Sequence, residues 1–160
     1  DMGTPMKKII YDIGGGFIRP VKALQVGGPL GGVIPIKEVE KLNLDFQEFT
    51  KAGFMLGHGS IVSIPEDFNM IKYIHHLFKF SAEESCGKCF PGRLGSYRGK
   101  EMFDQAINKT NKIPIKLLNE LLVTMQKGSL CALCGAIPLP IQNILKYFTN
   151  EFKTDINQEA

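Results

Sequence analysis

Two cysteine pairs with the spacing C-x-x-C constrain this chain more than any other feature of its sequence. The first pair is Cys86 and Cys89, the second is Cys131 and Cys134, and 41 residues separate the pairs. Thiolates are soft ligands that suit zinc and iron–sulfur clusters. The separation exceeds the roughly 15–20 residues of a compact zinc ribbon. It fits two helices that leave one end of a bundle and return to it, which would allow all four sulfurs to share a site.

The residues alone leave other interpretations of these cysteines open. Cysteine is also a common small core residue, so the four thiols could be buried and inert. A thioredoxin-like redox pair is disfavoured, because no strand leads into either C-x-x-C. The spacing of the first pair raises a question. A third cysteine three residues after Cys89 would continue the C-x-x-C spacing, but that position is Gly92.

Residues 1–67 predict a small α+β unit. Thr4 and Pro5 are typical of a helix start, because a hydroxyl caps the helix and proline fits its first position. Alternating and β-branched residues predict strands at 21–26 and 60–64, with a short extended piece at 33–36 and a short helix or turn at 46–53. The glycine-rich loop 27–32 is interpreted as a β-turn loop, since proline and an extended segment follow it and a phosphate loop would open a helix.

Residues 68–160 predict a small bundle of four amphipathic helices that carries the cysteine loops. Asp67 is the expected cap of the first helix, and the second is expected near 95–108. Pro114 and Pro140 are expected to open the third and fourth, with residues 131–134 forming a loop between them. The polar tail after Thr154 is expected to fray.

Composition excludes several classes of function. The net charge is only +3 and the basic residues are not clustered, so no nucleic-acid partner is expected. No apolar run approaches the roughly 20 residues of a membrane helix. The opening D-M-G-T-P-M-K-K is not typical of a secretion signal, so we expect a cytoplasmic protein. No hydrolytic arrangement of side chains stands out, so no catalytic residue is assigned, and His58, His75 and His76 are interpreted as structural or surface residues.

Three phrases carry a resemblance to a known family: E-S-C-G-K-C-F-P-G-R at 84–93, G-F-M-L-G-H-G-S-I-V-S-I-P-E-D at 53–67 and G-S-L-C-A-L at 128–133. Together they resemble the flavoprotein subunit shared by respiratory complex I, NAD-reducing hydrogenases and soluble NAD-dependent formate dehydrogenases. The phrases C-F-P-G-R-L-G-S at 89–96 and I-P-L-P-I at 137–141 look most like the formate dehydrogenase beta subunit. The resemblance covers nearly this whole chain but only the C-terminal portion of that subunit.

The resemblance implies a soluble-ligand-binding β-grasp domain over 1–67 and a helical domain over 68–160 that holds a four-iron four-sulfur cluster. Its motif is S-C-G-x-C-x-x-C-R, with a fourth cysteine about 40 residues on. Cys86, Cys89 and Cys131 match three of those ligands. Gly92 stands at the position of the remaining one, and Cys134 stands where the family usually has glycine. Either Cys134 compensates for Gly92 or a ligand is lost, which would leave a labile three-cysteine site or one that takes zinc.

The implied function is an electron-transfer module. It would relay electrons between a flavin in an N-terminal domain and the iron–sulfur centres of partner subunits. FMN and NAD are expected only in the full-length parent subunit, so this chain alone is not expected to oxidise NADH. Two alternatives stay open: a subunit-docking scaffold, and a structural zinc-binding domain without a redox role.

Overall fold

Three antiparallel strands form the sheet of the first of two compact units, Asp1–Phe68. The computed structural model describes residues 1–157. The strands are β1 (Val21–Val26), β2 (Gly32–Pro35) and β3 (Ile61–Pro65), in the order β2-β1-β3. Leu24 of the central strand pairs with Ile34 on one side and Ser63 on the other. Ala23, Leu24 and Val26 of β1 are fully buried, so the central strand contributes to this unit's core.

Helical segments of the first unit are short. They are α1 (Ile36–Val39), α2 (Phe46–Lys51) and one wide turn with π-type hydrogen bonding, Lys8–Ile13. Asp45 caps α2, because its Oδ1 accepts hydrogen bonds from the backbone of Gln47 at 2.8 Å and Glu48 at 3.0 Å. The strand at 21–26 is confirmed, and the short helix or turn predicted at 46–53 is a helix over Phe46–Lys51.

The glycine-rich loop is held by close backbone approach. Gly27 has a φ of 99°, and a Cβ built on it would lie 2.3 Å from the Leu56 carbonyl oxygen. Its N–H donates to the Ser60 carbonyl at 2.8 Å. Only glycine tolerates both the positive φ and the close approach of the Leu56 carbonyl. Glycine at position 27 is therefore required by the packing of the loop against the segment that leads into β3.

The second unit begins at Asn69 and contains five of the seven α-helices in residues 1–157. They are α3 (Met70–Glu84), α4 (Ser96–Ile107), α5 (Ile115–Gly128), α6 (Ala132–Ala136) and α7 (Pro138–Tyr147). A π-type turn, Pro91–Gly95, precedes α4, and a 3-10 turn, Thr149–Phe152, follows α7. Two short parallel strands, β4 (Ile113–Pro114) and β5 (Ile156–Asn157), pair with each other. The chain is thus a mixed fold of helices with a small antiparallel sheet.

Helices α3 and α4 approach closely because a glycine faces an aromatic ring. A Cβ on Gly99 would lie 2.2 Å from Phe78 Cε1, so no larger residue fits there without a shift. The Phe78 ring also lies 5.8 Å from that of Phe103, within the range of a favourable aromatic pair. This contact fixes the two helices between which the first cysteine segment runs.

Several details of the sequence prediction are wrong. Asn69, not Asp67, caps α3, because its Oδ1 accepts from the backbone of Ile71 at 2.8 Å and Lys72 at 3.1 Å. The last long helix begins at Pro138, two residues before the expected Pro140.

Two segments that were predicted to lack regular structure contain it. Cys134 lies within α6, so residues 131–134 are not simply a loop. After Thr154, Ile156 and Asn157 pair in β5, so the fraying predicted there is wrong as far as the described residues go. Residues 158–160, the end of that predicted tail, lie outside them.

Candidate metal centre

The four cysteines lie in two segments of the second unit. Cys86 and Cys89 lie in the segment between α3 and the π-type turn, while Cys131 is the residue before α6 and Cys134 lies inside it. Gly87, between the first two, has a φ of 72°, a conformation that L side chains rarely adopt. The backbone at this position therefore favours glycine.

Two of the cysteine sulfurs lie beside Gly92. A Cβ built on Gly92 would lie 3.0 Å from Cys89 Sγ and 3.1 Å from Cys134 Sγ. The two sulfur atoms therefore lie no further apart than the sum of these distances, about 6.1 Å. Cys134, which lies in α6, thus places its sulfur directly against the position that Gly92 leaves without a side chain.

The other two cysteines are more open. Cys86 and Cys131 are exposed, Cys89 is half-buried, and Cys134 is only 2% exposed. Within residues 1–157, no three cysteine, histidine or carboxylate side chains converge closely enough to hold a single metal ion. The structure therefore brings Cys89 together with Cys134, and it does not gather Cys86 and Cys131 with them around one ion-sized point.

The Cys89 sulfur lies among hydrogen-bond donors. The backbone N–H of Leu130, followed by that of Gly92, lowers the pKa of the Cys89 thiol, and the Ser129 hydroxyl acts in the same direction. Such donors stabilise a thiolate, which is the form that binds metals. Because Leu130 precedes Cys131, these contacts also join the second cysteine segment to the first.

Two buried serines support the same region. Ser96 donates a hydrogen bond from its hydroxyl to the Gly92 carbonyl at 2.6 Å, which holds the π-type turn against α4. Ser81 Oγ lies 3.5 Å from Cys134 Sγ, and its side chain is fully buried. Neither serine, nor Ser129, was identified as a site residue from sequence. Ser81 could have been noticed, since it follows Ile74 and Phe78 at helical spacing and is a polar residue on an otherwise apolar face.

Apolar and basic side chains surround the cysteine segments. Phe90 is 68% exposed, Leu94 is 58% exposed and Leu130 is 81% exposed. The Arg93 guanidinium lies 5.0 Å from the centroid of the Phe90 ring, and Lys88 is exposed. Exposed apolar groups next to cations are typical of surfaces that bind other proteins.

The histidines lie elsewhere. His75 Nε2 lies 2.7 Å from Asp104 Oδ1, and Lys100 Nζ lies 2.6 Å from the other oxygen of that carboxylate. The Lys100 hydrogen bond is the main reason that the pKa of Asp104 is lowered, and His75 contributes. His58 packs on the glycine-rich loop of the first unit, where a Cβ on Gly28 would lie 2.4 Å from its Nε2. These contacts give His75 and His58 structural partners.

Comparison with known proteins agrees with the chemistry of this site. Residues 72–155, which include all four cysteines, match the family described as the NADH-ubiquinone oxidoreductase-F iron-sulfur binding region. This chain belongs to that family. It is 30% identical over 161 residues to the NADP-reducing hydrogenase subunit HndC of Solidesulfovibrio fructosivorans, covering 99% of this chain and 33% of that protein. It is 33% identical over 159 residues to the F subunit of NADH-quinone oxidoreductase from Rickettsia bellii (strain OSU 85-389). That match covers 97% of this chain and 38% of the Rickettsia protein.

The fold has a counterpart among solved structures. It superposes on a chain of NAD+-reducing [NiFe]-hydrogenase in the H2-reduced state with a TM-score of 0.83 and 19% identity, covering 98% of this chain and 26% of that one. The chain spans about a third of the length of the curated relatives it matches. In residues 1–157 no helix has both the length and the apolar character needed to cross a membrane.

Proposed function

We propose that this chain is an electron-transfer module whose second unit holds a four-iron four-sulfur cluster on Cys86, Cys89, Cys131 and Cys134. The observation that carries the proposal is the convergence of Cys89 and Cys134 on the point beside Gly92, within a region that belongs to an iron–sulfur binding family. Four thiolates are the usual ligand set of such clusters.

Cys134 fills the role of the family cysteine that Gly92 lacks. A cysteine at position 92 would project its sulfur from a Cβ that already lies 3.1 Å from Cys134 Sγ. The two positions therefore serve the same corner of the site. Compensation explains why one chain combines a glycine at 92 with a cysteine at 134.

The surrounding residues prepare the site for a charged group. Backbone N–H groups of Leu130 and Gly92 face the Cys89 sulfur and stabilise it as a thiolate. Lys88 and Arg93 place positive charge beside the same segment. This charge favours the reduced state of a bound cluster, which is more negative than the oxidised state. When bound, an iron–sulfur cluster supplies a site that accepts and releases single electrons.

The partners we infer are proteins that carry the electron donor and acceptor. The apolar side chains of Phe90, Leu94 and Leu130 and the cation of Arg93 support docking of another protein surface beside the cysteines. We propose an N-terminal domain with FMN and NADH sites as donor, and iron–sulfur subunits as acceptors. The phrases at 89–96 and 137–141 favour a cytoplasmic formate dehydrogenase as the parent assembly.

Further assignments rest on the same resemblance. The first unit, with its three-stranded sheet, is proposed to be a β-grasp domain, and the long helices of the second unit are proposed to form the cluster-binding bundle. Position 68 remains the proposed boundary of this division, and each part is expected to keep its own core.

Anaerobic reconstitution followed by iron, sulfide and zinc analysis and EPR of the reduced protein tests the proposal. We expect about four iron and four sulfide per wild-type chain. Cys134→Ser should lose most of the iron, whereas the double variant Gly92→Cys with Cys134→Gly should regain it, because the sulfur returns to the same corner.

Ala106→Ser is a matched control, because it introduces the same hydroxyl at a buried position of α4 outside the cysteine segments. Its iron content should equal that of the wild type. One zinc and no sulfide per wild-type chain would overturn the redox assignment. Full iron content in Cys134→Ser would remove Cys134 from the ligand set.

A further inference from the structure

We infer that Ser81 is a positioning residue that donates a hydrogen bond to the Cys134 sulfur and raises the reduction potential of the bound cluster. The inference rests on the proposed function and adds a residue that the cysteine pattern does not contain. Ser81 lies in the last part of α3, 53 positions before Cys134 in the chain. The contact therefore joins α3 to α6 directly at the metal centre.

The geometry of the pair fits a hydroxyl–sulfur hydrogen bond. Ser81 Oγ and Cys134 Sγ are 3.5 Å apart, with Ser81 fully buried and Cys134 only 2% exposed. A buried hydroxyl requires a partner, and burial keeps water from competing for this one. The sulfur thus lies close to both the Ser81 hydroxyl and the Gly92 position.

Metal binding decides which atom donates. In the free thiol either group can carry the shared proton, but a metal-bound cysteine has lost its proton. The Ser81 hydroxyl then holds the only available hydrogen and must be the donor. A donor to a ligand sulfur stabilises the reduced centre more than the oxidised one, because the reduced centre carries one more negative charge.

A purely steric role for Ser81 predicts different behaviour. If the position only needed a small side chain, alanine would serve equally well and the potential would not change. Threonine keeps the hydroxyl and adds a methyl group, so it separates the two roles. The comparison of Ser81→Ala with Ser81→Thr therefore distinguishes the hydrogen bond from the volume.

The test is an EPR-monitored redox titration of the anaerobically reconstituted chain, with iron content measured on the same samples. We expect Ser81→Ala to hold wild-type iron and to titrate at a lower potential. At a fixed solution potential, its ratio of reduced to oxidised cluster should fall about three- to tenfold, where tenfold is about 59 mV for a one-electron couple. Ser81→Thr should restore the ratio.

Every other outcome has a defined meaning. An unchanged potential in Ser81→Ala overturns the inference while leaving the proposed function intact. Loss of iron in Ser81→Ala with retention in Ser81→Thr supports the hydroxyl as the positioning group, whereas loss in both variants assigns the position to packing and overturns it. A wild-type chain without iron and sulfide overturns the proposed function, and this inference with it.

Discussion

Crowding between position 92 and Cys134 should be measurable as a coupling energy in the metal-free protein. The perturbation is Gly92→Ala, made alone and together with Cys134→Ala. The new Cβ would lie 3.0 Å from Cys89 Sγ and 3.1 Å from Cys134 Sγ, whereas non-bonded heavy atoms prefer about 3.5–4.0 Å. Two contacts are thus about half an ångström or more too short, and the single variant should be strained.

The size of the effect follows from this overlap. Overpacking of this kind costs about 1–3 kcal/mol. Replacing a helical glycine by alanine returns up to about 1 kcal/mol. We therefore expect Gly92→Ala to lower the free energy of unfolding by about 1–2 kcal/mol in the wild-type background. In the Cys134→Ala background one of the two short contacts is gone, so about half of the overpacking cost is removed and the same change should cost about 1 kcal/mol less.

Urea unfolding with a metal chelator and a thiol reductant, followed by circular dichroism, provides the assay. Gly135→Ala is the control, because the nearest atom to its added Cβ is 3.7 Å away and α6 accommodates it. If the effects of Gly92→Ala and Cys134→Ala add to within about 0.5 kcal/mol, the two positions do not compete for the same space. Compensation between them would then lose its structural basis.

Two further predictions concern the frame of the second unit. Asn69→Ala should lower the free energy of unfolding by about 1 kcal/mol in urea because it removes the cap of α3, while Asp67→Ala should have little effect; an equal loss for both would contradict the cap assignment. The pKa of Asp104 is lower in the folded protein than its unfolded value, near 3.8. The ion pairs of Asp104 therefore stabilise the folded protein at pH values above 3.8, and this stabilisation is lost as the pH falls through the folded-state pKa. Asp104→Asn should therefore differ from the wild type in thermal unfolding at neutral pH, and the two should converge as the pH falls through the lowered pKa of Asp104; a constant difference would refute the titration.

Strands and long helices could be predicted from the sequence because their patterns are local. Alternation over 21–26 and apolar stripes at helical spacing depend on neighbouring residues alone. The cap of α3 was misplaced because Asp67 and Asn69 both carry suitable side chains, and only the backbone geometry decides between them. The start of α7 was misplaced for a similar reason, since Pro138 and Pro140 are both compatible with the first turn of a helix.

The site was predictable as a set of cysteines but not as an arrangement. Spacing identified the two pairs, and the resemblance identified Gly92 and Cys134 as departures from the family pattern. Nothing local in the sequence states that Cys134 Sγ lies beside Gly92, because that proximity depends on how α6 packs against the π-type turn. Ser81 was missed for the same reason, since its contact with Cys134 spans 53 positions of the chain.

The position of Cys134 in α6 also changes how the proposed ligands are shared between chain segments. In the family pattern, three sulfurs come from one short segment and the fourth from a distant one. With Cys134 as a ligand, Cys86 and Cys89 supply half of the set, and Cys131 and Cys134 supply the other half. Local unfolding of α6 would then leave two ligands in place where the usual pattern keeps three, so release of iron from this chain should track the opening of a single five-residue helix.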